Sequence, residues 1–341
     1  MFEIVAGDIG GTKTLLGVFR DTDAGLVEIR TGRFASRDYD SFGALLAAFL
    51  AAEPGRRFDA ACLAVAGPVI AGACTTTNLP WRLDETEVAG HVGAPRARLL
   101  NDVQAAAWGV LRLPESSLAV INAGRRPRHP GNAALIAAGT GLGEALLYWD
   151  GARHHAIATE GGHGDFAPHS DVEIELLRYL RARHGGHVSW ERVLSGPGLR
   201  NIYGFLRQAE GATEPPWLSR RLEQGDAAAA IAEVGLAGGD PVCVAALETF
   251  AHIYGVEAGN LALKGLALGG VYIGGGIAPK ILPALRGGAF MRGFTDKGRF
   301  AGLLAGIRVV VSLESRVALL GAARLAAELA AGSRQPRLDQ S

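Results

Sequence analysis

Short apolar runs joined by tight polar turns open the chain. Residues 2–7, 14–19 and 27–34 are apolar and partly β-branched, which predicts three strands in succession. An alanine- and leucine-rich helix is expected over 41–52, and a fully buried strand over 60–67 (AACLAVAG). Another strand at 97–100 leads into a helix from Val103. The runs SLAVINAG and NAALIAAG then add strands. The order β-β-β-α-β-α-β implies a mixed sheet covered by helices. Ser170-Asp-Val-Glu173 forms a capping box, and it starts a helix whose apolar face is expected to carry Val172, Leu176, Tyr179 and Leu180. Helical pattern then continues almost unbroken to about residue 268. Strands follow at 269–276 and 307–313, with a last helix at 317–329. The polar tail after Gly332 is expected to fray.

Two glycine-rich turns stand out because each joins a strand to a strand. They are GDIGGTKT (7–14) and AAGTGLGE (137–144), and they make a quasi-repeat, one in each half. Neither is a P-loop, which needs glycine where Thr12 stands, and neither fits the dinucleotide fingerprint, which opens a helix. In the first, Gly10 and Gly11 let backbone N–H groups approach an anion, Thr12 adds a hydroxyl and Lys13 a charge. Asp8 would repel a phosphate unless Mg²⁺ sits between them. A tight hairpin with a solvated aspartate is the plainer alternative. In the second turn, Gly139, Thr140 and Gly141 suit another phosphate nest, or a bulge.

Asn101 and Asp102 end an apolar strand and precede a helix. A carboxylate there can take the proton of an acceptor hydroxyl, and the same pair also suits an ordinary helix N-cap. Glu160, His163 and Asp165 surround Gly161 and Gly162, a group fit for binding a polyol. Glu191 falls in the first turn of a helix, where the helix dipole alone favours it. GGVYIGGG (269–276) ends in a glycine turn that either floors an adenosine pocket or simply joins strand to helix.

Composition narrows the partners. Of 341 residues, 34 are basic and 34 acidic, so there is no general pull toward nucleic acid or anionic membrane. No run of about 18 uncharged apolar residues marks a membrane span, and the N-terminus lacks a signal-type run. Three unpaired cysteines, Cys62, Cys74 and Cys243, point to reduced thiols in a cytoplasmic protein.

The ordered series GDIGGTKT, LLNDVQAAAWG, GTGLGEALL, EGGHGDFAP, ERVLSGPGLRNIY and GGVYIGGGIAPK resembles the bacterial ATP-dependent glucokinases of the hexokinase–actin–Hsp70 superfamily, over roughly residues 3–325. The resemblance implies an α/β, two-lobe, actin-like ATPase (ribonuclease H-like) fold, with mixed sheets flanked by helices and a ligand cleft between the lobes. A small domain is expected over 1–122, a large one over 123–332 and a flexible tail over 333–341. It implies ATP, Mg²⁺ and D-glucose as ligands, transfer of the γ-phosphoryl to the 6-hydroxyl, and a homodimer. Asp102 would be the catalytic base. Asn78, Asn101, Glu160, His163 and Glu191 would bind the sugar. Gly10, Gly11 and Thr12 would form the first phosphate loop, and Gly139, Thr140 and Gly141 the second. Gly274, Gly275 and Gly276 would line the adenosine site, with Asp8 orienting Mg²⁺ through water. Two features depart from the pattern: Lys13 replaces a common asparagine, and the Cys/His zinc motif of the related ROK sugar kinases is absent, there being no cysteine between Cys74 and Cys243. The rival readings are a same-fold kinase for mannose, fructose or an N-acetylhexosamine, and a sugar sensor without catalysis.

Overall fold

The computed structural model describes residues 1–52, 55–76, 79–125 and 130–332. It divides into two compact units, Met1–Leu113 together with the segment from Arg316, and Pro114–Ser315. The expected boundary lay at 122/123 and placed the last helix in the second domain. The helix belongs instead with the first unit, because its alanine face packs on that unit's sheet.

In the first unit, β1 (Phe2–Ile9), β2 (Lys13–Thr22), β3 (Gly25–Ala35), β4 (Ala60–Val65) and β7 (Ala97–Asn101) form one sheet in the order β3-β2-β1-β4-β7. β1 pairs antiparallel with β2, and β2 with β3; β1, β4 and β7 run parallel. Side chains alternate across it as a strand's period of two requires. From β4, Ala61, Leu63 and Val65 face helices α1 (Phe42–Leu50) and α2 (Glu85–Val92), while Ala60, Cys62 and Ala64 face the C-terminal helix. Ser41 caps α1 by accepting the Ala44 N–H, so that helix begins where the sequence pattern placed it. Two features escaped the pattern. β5 (Ala73–Thr75) and β6 (Arg82–Asp84) form a hairpin of three-residue strands, too short to show a period. α2 has a thin apolar stripe of Val88 and Val92, under the Asp84 cap. Helix α3 (Asp102–Val110) follows β7 directly.

The second unit repeats the plan. β8 (Leu118–Asn122), β9 (Ala133–Ala138), β10 (Leu142–Trp149), β11 (His154–Ala158), β12 (Gly270–Gly274) and β13 (Val309–Ser312) are ordered β11-β10-β9-β12-β13-β8. Leaving out the edge strand β8, five strands have the same order and directions as in the first sheet: two antiparallel hairpins, then two parallel neighbours. Each sheet's first hairpin carries one of the two glycine-rich turns. The helices are α4 (Asp171–His184), α5 (Gly196–Ala209), α6 (Pro216–Glu223), α7 (Ala227–Leu236), α8 (Pro241–Gly265), α9 (Leu282–Arg286), α10 (Ala289–Thr295) and α11 (Ala301–Ala305). After β13 the chain returns to the first unit as α12 (Val317–Gly332), which sets Leu319, Ala322, Ala323 and Ala326 against the small residues of β4.

α4 departs from its expected face: Val172 is exposed, whereas Glu173 is buried, held by the His169 N–H and by His252 Nδ1 at 3.1 Å. The 25-residue α8 is apolar on most sides and is buried in the unit's core. Among the described residues no single helix is long and apolar enough to cross a membrane. The three cysteines are buried free thiols.

From α8, the fully buried Tyr254 hydroxyl accepts the Ala138 N–H at 3.1 Å, at the last residue of β9 before the second glycine turn. Removing that hydroxyl leaves a buried N–H unpaired, at a cost of about 1–3 kcal/mol. Tyr254→Phe is therefore expected to lower the urea midpoint with an unchanged slope. An unchanged midpoint would mean that the hydroxyl does not hold the strand end.

Candidate active site

In the first unit, chemistry collects at the carboxyl ends of the parallel strands, where α/β sheets bind ligands. Ile9 of β1 pairs with Val65 of β4, and Val65 with Asn101 of β7. This register brings Asp8, Asn101 and Asp102 to one edge, with the outer strands about 10 Å apart. Asp8 is largely buried. Burial, and then the negative charge of Asp102, push its carboxyl up to about 6, while Lys13 opposes them. Lys13, the departure from the family pattern, thus partly offsets the carboxylate charge.

The first turn is held shut by a residue whose role no motif signals. Gly10 N–H donates to the Lys13 carbonyl at 3.0 Å, closing the hairpin. The fully buried Ser36 donates its hydroxyl to the Gly10 carbonyl at 2.7 Å and its N–H to the Thr12 carbonyl at 3.1 Å. Its Oγ also lies 3.0 Å from Thr14 Oγ1. With Gly10 and Thr12 carbonyls tied back in this way, Thr12 stands exposed at the tip.

Asn101 is the N-cap of α3, as the plainer reading allowed. Its Oδ1 accepts the Val103 and Gln104 N–H groups, and Nδ2 donates to the Gly67 carbonyl at 3.3 Å, leaving one amide hydrogen for a ligand. Asp102 is the first residue of the helix. Its Oδ1 accepts the Val103 N–H at 2.8 Å. Asn78 lies outside the described residues.

In the second unit, Gly139 N–H donates to the Gly141 carbonyl, and Gly196 N–H to the Gly139 carbonyl, so the second turn is tied to the start of α5. Glu191 sits in a single 3₁₀ turn, Trp190–Arg192, rather than in a longer helix. Its Oε2 accepts the Leu142 N–H at 3.0 Å and occupies the space of a side chain at residue 141: a Cβ there would lie 2.4 Å from it. A side chain at residue 141 would push that carboxylate away from its place beside the Leu142 N–H.

Beside this turn is a cavity of about 620 Å³. Gly139 and Thr140 line one part, Gly196 and Pro197 the start of α5, and Gly276, Ile277 and Lys280 the turn after β12. Alanines at the start of α7 give it an apolar wall, and Arg200 and Lys280 supply positive charge. Two helix amino ends reach this cavity; that of α7 is already capped by Asp226, a lining residue whose carboxylate accepts the Ala228 and Ala229 N–H groups. Of the three expected glycines, Gly276 lines the cavity. Gly274 ends β12, and Gly275 makes the turn in the left-handed region.

Glu160 and His163 come together across one 3₁₀ turn, Gly161–His163, with Nε2 and Oε2 3.9 Å apart and both side chains mostly exposed. Asp165 does not join them, since it pairs with His187 at 3.1 Å. His169 pairs with Asp296 at 2.8 Å. Among the described residues no group of three or more His, Cys, Asp or Glu side chains is arranged to hold a metal.

Known proteins similar to this chain cover nearly its whole length. A family model described as Glucokinase matches residues 5–329. A glucokinase of Nostoc sp. is 41% identical, with 96% of this chain and 99% of that protein covered. The crystal structure of a glucokinase from an Antarctic psychrotroph aligns with a TM-score of 0.85 at 32% identity, covering 96% of this chain and 99% of that one. A ROK family glucokinase from Streptomyces griseus, solved with glucose and AMPPNP, shares the fold at a TM-score of 0.63 and 23% identity, with 96% and 99% covered.

The burial of Asp8 has a thermodynamic consequence. Its folded-state pKa lies above the ordinary 3.8, so the folded chain takes up a proton through the range from 3.8 to about 6. Stability falls as pH rises through that window, and the full penalty is present above it. Asp8→Asn is expected to raise the melting temperature of the ligand-free protein at pH 8, by the equivalent of about 1–3 kcal/mol. The gain should vanish near pH 4. A variant no more stable than the parent at pH 8 would contradict the burial penalty.

Proposed function

The chain belongs to the glucokinase family, and from that premise we propose how its residues divide the work of phosphorylating glucose. It is an ATP-dependent hexose kinase, giving glucose 6-phosphate and ADP. The observation that carries the assignment of roles is the position of Asp102, at the carboxyl edge of β7, in register with Asp8 and its glycine turn.

Asp102 accepts the proton of the 6-hydroxyl as that oxygen bonds to the γ-phosphorus, a step in which a positioned base is worth about 10²–10⁴-fold. The base stays in place because its helix is capped by Asn101, whose free amide hydrogen reaches a sugar hydroxyl. Glu160 accepts hydrogen bonds from two sugar hydroxyls, and His163 orients a third. Glu191 acts on the second turn through the Leu142 N–H, and its carboxylate also takes part in holding the sugar. Gly10, Gly11 and Thr12 hold one part of the phosphate chain and Gly139, Thr140 and Gly141 another, through backbone N–H groups and hydroxyls. The cavity beside α5 and α7 takes the adenosine. The S. griseus enzyme of the same fold was solved with glucose and AMPPNP, which supports a sugar and a nucleotide as the two ligands.

Asp8 suits Mg²⁺. A buried carboxyl pushed up by a second carboxylate is one that a cation would relieve. Bound near Asp8, directly or through water, the ion would supply positive charge against the phosphate oxygens.

A coupled assay for glucose 6-phosphate, run with ATP, Mg²⁺ and a panel of hexoses, tests the reading. D-glucose is expected to be turned over well ahead of mannose, fructose and N-acetylglucosamine. Glu160→Gln should raise the glucose KM about ten- to a hundredfold, as loss of charged hydrogen bonds implies, and leave the ATP KM nearly unchanged. Preference for another sugar would move the substrate. An unaltered glucose KM in both Glu160→Gln and His163→Ala would remove this turn from the sugar site.

A further inference from the structure

Glu144, on β10, has no part in the reaction as described above, yet it lies directly beneath the turn that carries Glu160 and His163. It is 1% exposed. A Cβ at Gly161 would lie 2.2 Å from Glu144 Oε2, so the carboxyl fills the space where residue 161 would carry a side chain. The backbone continues the same attachment. Thr159 Oγ1 donates to the Glu144 carbonyl at 2.8 Å and accepts the Gly161 N–H at 3.2 Å. Gly162 packs on the Leu142 carbonyl, two residues earlier in β10. The buried Oε1 of Glu144 has no hydrogen-bond partner among the described residues.

We infer that Glu144 is a positioning residue for sugar binding: its buried carboxyl is the seat on which Gly161 rests, and through Gly161 it sets the placement of Glu160 and His163. This rests on the reading of that turn as the sugar site.

The seat is sound only as the uncharged acid. Around it, α8 contributes Glu257, which is fully buried, Lys264, and the Tyr254 hydroxyl already engaged by Ala138; β9 contributes only Ile136 opposite; the turn contributes Glu160 and His163. Burial and then the Glu257 charge raise the Glu144 carboxyl to about 7, with Lys264 opposing. Below that pH the group is neutral. Above it, an ionised carboxylate with an unpaired oxygen beside a second carboxyl gains by reaching water, and the glycine turn is what covers it. Loosening of the turn therefore grows as pH rises through about 7.

Hydrogen exchange across Thr159–Gly164, with glucose kinetics, tests this in the intact protein. Protection factors at Gly161, His163 and Gly164, corrected for intrinsic base catalysis, are expected to fall about three- to fivefold between pH 6.5 and 8.5. Glu144→Gln, which keeps the shape and cannot ionise, should flatten that profile and keep the glucose KM near that of the parent. Glu144→Ala should lower protection at every pH and raise the glucose KM several-fold, with the ATP KM within about twofold. Protection identical in the parent and both variants would overturn the seat while leaving the sugar site standing. Lowered protection in Glu144→Ala with an unchanged glucose KM would show that the turn is seated by Glu144 but does not hold the sugar, so the inference would fall together with the reading beneath it.

Discussion

Two carboxylates at the carboxyl ends of parallel strands in a mixed sheet repel one another, and several residues of the first unit hold them there. Asp8 is pushed to about 6 by burial and by Asp102, so the fold bears a cost at neutral pH that no packing argument requires. What surrounds the pair offsets that cost or fixes its geometry. Lys13 supplies a positive charge, Ser36 closes the adjacent turn, and Asn101 caps the helix that begins with Asp102. A sheet evolved for stability alone would have an amide at residue 8. Keeping the acid is the kind of stability given up for function that active sites often show.

The second unit uses the same five-strand plan to hold its glycine turn, but with different supports. There the turn is fixed by neutral and charged groups reaching in from elsewhere: Gly196 N–H on the Gly139 carbonyl, Glu191 on the Leu142 N–H, and the Tyr254 hydroxyl at the end of β9. All three come from segments well beyond the turn along the chain, the nearest, Glu191, 49 residues from the Leu142 it holds. One hairpin design therefore gives two glycine turns, each stiffened by its own set of neighbours.

Much of this could be read from residue order. Glycine turns joining strand to strand, an Asn-Asp pair at a strand end and the Glu-Gly-Gly-His segment are local patterns, and local patterns survive in sequence. The apolar runs placed nearly every long strand for the same reason. What escaped was short or non-local. Three-residue strands carry no period, so β5 and β6 were invisible. Val172 has helical spacing with Leu176 and Leu180, yet Glu173 takes the interior because His252 and the His169 N–H hold it there. The domain boundary was misplaced because α12 belongs with a sheet begun 300 residues earlier. Ser36, Tyr254 and Glu144 are single residues whose importance lies wholly in a distant partner.

The central claim is that Asp102 is the base, and the most direct test separates binding from chemistry in one variant. Glucose affinity of Asp102→Asn measured by calorimetry, beside its kcat for glucose 6-phosphate, does so. The account predicts glucose binding within about an order of magnitude of the parent and kcat reduced by about 10²–10⁴-fold or more. A kcat near that of the parent would contradict it and leave Asp102 as no more than the first residue of a well-capped helix.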